Sequence, residues 1–142
     1  MNRAIVLDTN IIVSAGIHLG GASGKIVELV MDGELSLFTC PSVLEEYVEV
    51  LARKRFAKHL FPPTWLGTLL RISTFRYEEP PPWPMAGPDC DDLVFLALAK
   101  SVGAVLVTGN LKDYPEAIRD EVRVLSPREF MDLWVASQSG EG

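Results

Sequence analysis

The chain has little of what many enzyme active sites are built from. Two of its 142 residues are cysteines, Cys40 and Cys90, and two are histidines, His18 and His59. The cysteines show no C-x-x-C spacing, so neither a zinc site nor a disulfide is expected, and both read as small core residues in a reducing compartment. The histidines are too few and too far apart for a histidine metal site, and His18 falls in a glycine-rich stretch that reads as an exposed loop. No Ser/His or Cys/His nucleophile pair is credible in such contexts. Basic residues are outnumbered 13 to 19, for a net charge of −6, which argues against broad electrostatic binding to nucleic acid. No apolar run reaches the roughly 18 residues that a membrane helix needs, although mean hydropathy is +0.19. The N-terminus carries one arginine and its apolar stretch is broken at Asp8, so no signal-peptide pattern is visible and a cytoplasmic location is expected.

Apolar residues make up 48% of the chain, ample for the core of one domain. Residues 1–136 are expected to form that domain and 137–142 a mobile tail. Ala4-Ile5-Val6-Leu7 does not alternate with polar residues and reads as a strand buried on both faces; Ala104-Val105-Leu106-Val107 reads the same way. Shorter strands are expected at 35–38, 74–77 and 122–125. Helices are expected over 22–31, 41–53, 54–60, from Pro62-Pro63 to about 72, over 90–102, and from Ser126-Pro127 to Ala136, with a helical turn at 115–119. Strands alternate with helices, so the class is α/β with a mainly parallel sheet flanked by helices on both faces. Five prolines between Glu78 and Pro88 forbid helix or central strand there; this extended loop is a candidate wall for a cleft.

The chemistry sits where the strands stop. The first ends at Asp8-Thr9-Asn10 and the later one at Thr108-Gly109-Asn110, with Asp113 beyond. If the two strands are parallel neighbours, both groups reach the same sheet edge, where α/β proteins bind ligands. On the helix over 41–53, Leu44, Tyr47, Val48 and Leu51 form an apolar stripe, and Glu46 lies on its shoulder between Val43 and Val50. Glu45 shares the polar face with Glu49, or closes a capping box with Ser42. Asp89-Cys90-Asp91-Asp92 precedes an apolar helix; Asp89 reads as its cap and Asp92 as the acid most constrained in direction. Converging carboxylates raise each other's pKa unless a cation neutralises them. An all-oxygen set suits Mg2+ or Mn2+ rather than zinc. Arg53, Lys54, Arg55 and Lys58 form a local basic patch, either a solvated helix face or a contact for the phosphates of a nucleic acid or for an acidic partner.

These segments, in this order, resemble the PIN domain family, and within it the VapC-like toxins and related toxin components. The resemblance rests on Val6-Leu7-Asp8-Thr9-Asn10, on Glu46-Tyr47-Val48-Glu49-Val50-Leu51-Ala52-Arg53, on Asp89-x-x-Asp92 leading into Phe95-Leu96-Ala97-Leu98-Ala99, and on Leu106-Val107-Thr108-Gly109-Asn110-Leu111-Lys112-Asp113-Tyr114-Pro115. It implies a three-layer α/β/α sandwich and a Mg2+- or Mn2+-dependent ribonuclease. Asp8, Glu46 and Asp92 would be its core metal-binding acids, Asn110 or Asp113 the fourth ligand, and Thr9, Asn10, Asp89 and Thr108 supporting residues. It further implies a homodimer or higher homo-oligomer and a cognate antitoxin as partner. Three other readings stand beside it. A haloacid-dehalogenase-like phosphatase also places Asp after its first strand, but needs a second Asp where this chain has Asn10; a receiver-like domain lacks the acid it needs at a middle strand. A PIN domain that binds RNA or protein without cutting is kept open by Asn110, because an amide ligates a metal more weakly than a carboxylate.

Overall fold

The structure, a computed structural model, describes residues 1–53 and 64–140. The apolar runs fold as strands β1 (Ala4–Leu7), β2 (Ser36–Thr39), β3 (Thr74–Phe75), β4 (Val105–Val107) and β5 (Val124–Leu125). They form one sheet in the order β3-β2-β1-β4-β5, and every neighbouring pair is parallel. The sheet is therefore wholly parallel. β1 lies at its centre, with Ile5, Val6 and Leu7 all without exposed surface, as expected of a strand covered on both faces.

The helices among the described residues are α1 (Thr9–Ile17), α2 (Ala22–Met31), α3 (Pro41–Leu51), α4 (Leu66–Ile72), α5 (Leu93–Val102) and α6 (Pro127–Gly140). α5 lies against β1, β2 and β4, while α2 packs on α6 and α6 on β5. Five consecutive residues of α5, Phe95 to Ala99, are buried, so this helix is enclosed nearly all round rather than presenting a single stripe. The result is the three-layer α/β/α sandwich that the alternation of elements predicts.

Several local expectations need correcting. α1 begins directly after Asp8, in a stretch with no strong helical period. The apolar stripe of α3 is Val43, Tyr47, Val50 and Leu51, while Val48 is 62% exposed. No Ser42–Glu45 capping box forms; the Ser42 amide instead donates to Glu79 Oε1 at 2.6 Å, from 37 residues away. Cys40 is buried as expected, but Cys90 is exposed. α6 continues past the expected end at Ala136 to Gly140. Its start does carry a reciprocal capping box: Ser126 N–H donates to Glu129 Oε1 at 2.9 Å and Glu129 N–H to Ser126 Oγ at 3.1 Å. The helix expected over 54–60 and the Pro62-Pro63 start lie outside the described residues.

Candidate metal centre

The strand order reverses between β1 and β4. From β1 the chain builds outward through β2 to β3, then returns to place β4 and β5 on the other side. A crevice opens beyond the carboxyl ends of strands at such a reversal. Leu7 is in register with Val107, so the next residues, Asp8 and Thr108, face each other, and Thr108 Oγ1 donates to Asp8 Oδ2 at 2.9 Å. Helices joining parallel strands run back against them. α3, after β2, therefore starts at this edge, and α5, which leads into β4, has its N-terminus here too. That topology brings Glu46 and Asp92 to the residues after β1 and β4.

A cleft of about 380 Å3 results, lined by Asp8, Thr9, Asn10, Val13, Glu46, Val50, Arg53, Asp89, Asp92 and Asp113. A groove of the same size between the N-terminus and α6 has no acid in its lining. All four expected acidic positions thus share one depression, Asp113 providing the fourth. Asn110 is outside the lining and exposed; its side-chain amide donates to Asp113 Oδ2 at 2.8 Å. No residue of 80–88 lines the cleft, so the proline-rich loop is not its wall. That loop is a strap: Trp83 Nε1 donates to the Ile118 carbonyl at 2.8 Å, and Trp83 and Met85 pack on the core.

The expected supporting residues tie the two loops together. Asn10 Oδ1 accepts from the Gly109 amide at 2.8 Å, and Asn10 Nδ2 approaches Thr108 Oγ1 at 3.4 Å. Asp89 caps the turn at Cys90–Asp92 by accepting from the Asp91 amide at 3.0 Å. The same tight turn brings the ligand atoms of Asp89, Cys90 and Asp91 within 4.8 Å of one another, all on exposed residues. Of the basic patch only Arg53 is described; it lines the cleft, while Lys54, Arg55 and Lys58 fall outside the described residues.

Two side chains with evident work here were not singled out from the sequence. Tyr114, without exposed surface, donates its hydroxyl to Asp8 Oδ2 at 2.8 Å. Tyr47, equally buried, donates to the Leu7 carbonyl at 2.6 Å, just before Asp8. Both lay within apolar or motif stretches as ordinary aromatics. The available signal was that a buried phenol must find an acceptor.

Crowding the acids into one cleft shifts their ionisation. Burial pushes the Asp8 carboxyl up; the Tyr114 and Thr108 hydroxyls and the Asn10 amide oppose this, and Asp113 adds to it. Asp92 is pushed up to about 8, first by burial, then by the charges of Asp8 and Asp89 and by Asp113. Glu46 is raised by burial and by Glu49 and Asp91, with Arg53 pulling the other way. Thr9 Oγ1 is buried among these groups with no hydrogen-bond partner. Carboxylates that resist ionisation together and an unpartnered hydroxyl suit a cation, and an all-oxygen donor set suits a hard one.

A family model described as PIN domain matches residues 4–112, which contain Asp8, Glu46, Asp92 and Asn110. The chain belongs to the PIN domain family. PIN domains are in general nucleases that use divalent metals. The uncharacterized protein MJ1680 of Methanocaldococcus jannaschii is 28% identical over 140 residues, covering 90% of this chain and 89% of that one. The fold is also that of VapBC2 from Rickettsia felis, solved bound to a DNA fragment from their promoter. The TM-score is 0.60 at 18% identity, over 87% of this PIN domain and 98% of that chain. Among the described residues, no helix is long and apolar enough to cross a membrane.

Proposed function

We propose that this PIN domain is a Mg2+- or Mn2+-dependent endoribonuclease, the toxin of a toxin–antitoxin pair. The observation that carries the reading is the meeting of Asp8, Glu46, Asp92 and Asp113 from separate segments in one cleft. Asp8, Glu46, Asp92 and Asp113 would hold the ion. Such an ion polarises a phosphoryl oxygen and offsets the charge that builds up in an in-line displacement. The protein's own groups do the rest. Thr9 Oγ1, buried and unpartnered, is free to orient a water or a phosphate oxygen. Arg53, on the rim of an otherwise acidic cleft, offers the cation that a phosphodiester needs at its point of entry. Asn10 and Thr108 fix the loops that carry the acids.

The toxin assignment and the expected antitoxin rest on the VapC-like resemblance and on the fold shared with VapBC2. A homo-oligomer belongs to the same reading. The non-cutting alternative draws on Asn110; the place of Asp113 in the lining supports the cutting reading over it.

The test is cleavage of end-labelled RNA by purified protein with Mg2+ or Mn2+ and with EDTA. Internal cuts that need the metal and vanish in Asp8→Asn are expected. Undiminished cutting by Asp8→Asn, or by the wild type in EDTA, would refute the assignment.

A further inference from the structure

Both side-chain donors to the buried Asp8 carboxylate fall on one atom. Thr108 Oγ1 donates to Oδ2 at 2.9 Å and Tyr114 Oη donates to the same oxygen at 2.8 Å. A carboxylate oxygen has about two lone-pair sites, so Oδ2 is filled. Oδ1 takes neither hydroxyl; beside the Asn10 backbone amide, which also favours the charged carboxylate, it is the oxygen with room for a ligand in the cleft.

The Tyr114 phenol is held from several directions. It follows the one-turn helix Leu111–Asp113, and its amide donates to the Leu111 carbonyl at 3.1 Å. Arg119 Nε donates to the Tyr114 carbonyl at 2.8 Å. The same turn sends Asp113 into the cleft lining and the Tyr114 side chain beneath Asp8.

We infer that Tyr114 is a positioning residue that, with Thr108, restricts Asp8 to single-oxygen ligation and so selects small octahedral divalent ions over Ca2+. This rests on the metal-dependent reading above. The physical ground is the contrast between the ions. Mg2+ demands near-ideal octahedral geometry with short bonds, whereas Ca2+ takes six to eight oxygens and readily accepts both oxygens of one carboxylate. An Asp8 that can offer one oxygen is no handicap to the first and a lost ligand to the second. Freeing Oδ2 from the phenol opens the two-oxygen mode and loosens the carboxylate.

Tyr114→Phe keeps the buried ring and removes the one donor. Mn2+ binding is followed by electron paramagnetic resonance, without substrate, and Ca2+ is titrated as competitor. The wild type is expected to bind Mn2+ and prefer it to Ca2+. In Tyr114→Phe, Mn2+ affinity is expected to fall about tenfold, as for other residues that orient a metal ligand, and the Mn2+/Ca2+ preference to narrow. Tyr47→Phe is the control, since its hydroxyl is equally buried but serves the Leu7 carbonyl; it is expected to lower Tm and leave the preference unchanged. An unchanged preference in Tyr114→Phe, or an equal change in Tyr47→Phe, overturns the assignment to Tyr114 and leaves the metal site standing. A wild type that binds no Mn2+ overturns the metal reading itself, and this inference with it.

Discussion

At the scale of single residues, Asp92 is 9% exposed at the head of α5 and feels the charges of Asp8, Asp89 and Asp113. Its folded carboxyl holds a proton up to about pH 8, whereas the unfolded chain releases it near the ordinary value of 3.8. Between those two values the folded state binds more protons than the unfolded one. Stability from this group is therefore complete below about pH 3.8 and is lost as pH rises through 8. Each pH unit inside the window removes at most about 1.4 kcal/mol. Asp92→Asn abolishes that slope, because an amide needs no proton to be neutral. In EDTA, urea unfolding should show the variant gaining on the wild type from pH 5 to pH 8, while metal-dependent cleavage is lost. An equal difference at both pH values would mean that Asp92 is not the group being strained. Asp8, Glu46 and Asp92 were legible in the sequence because position at a strand end, a helix shoulder or a helix head is a local property. The choice between Asn110 and Asp113 was not. It depends on a one-turn helix after Asn110, whose side-chain amide is spent on Asp113, and no period announces three residues. Tyr114 was hidden for the same reason: its partner Asp8 lies 106 residues away.

Among the elements, the strands and most helices follow from apolar period and punctuation, and the exceptions have identifiable causes. On α3, Val48 and Val50 both look fit for burial, and the choice between them depends on where the neighbouring helix and sheet lie. The N-terminus of α3 misled for a different reason, since Ser42-x-x-Glu45 spells a capping box while the working acceptor is Glu79 from the proline-rich strap. Glu79→Ala leaves the Ser42 amide without that acceptor and should cost about 1 kcal/mol, the usual value of a helix cap. Because α3 carries Glu46, Mn2+ affinity should weaken as well. Thermal unfolding and a Mn2+ titration check the two halves, and an unchanged Tm would show that water replaces Glu79 without loss. Gly24, near the start of α2, gives a sharper case. A Cβ there would lie 1.9 Å from the Leu19 carbonyl oxygen and 2.4 Å from its carbon, so backbone must move. Gly24→Ala is expected to destabilise by more than the 1–3 kcal/mol usual for overpacking with side chains that can shift. Chemical denaturation measures this, and a loss below about 1 kcal/mol would mean that the loop before α2 gives way easily.

At the scale of the whole molecule, the sheet order places a cluster of acids where folding alone would not put them. Net charge is −6, and the protein gathers Asp8, Glu46, Asp89, Asp92 and Asp113 around one cleft with Arg53 as the described basic residue in its lining. Burial and mutual repulsion raise three of those acids, an electrostatic cost that the proposed cation would relieve. An ion that binds the folded state and not the unfolded one stabilises by about 2.7 kcal/mol at a hundred times its dissociation constant. Linkage sets the pH dependence of that gain. Below the raised pKa values the ion must displace protons, so binding is weak. As pH rises through about 8 the Asp92 proton comes off, and beyond that the metal-free protein is at its least stable while the ion binds best. The increase in Tm on adding Mn2+ should therefore grow from pH 5.5 to pH 8, and it should shrink sharply in Asp8→Asn at every pH. A pH-independent increase would instead mean that the ion does not sit against the buried carboxyl of Asp92.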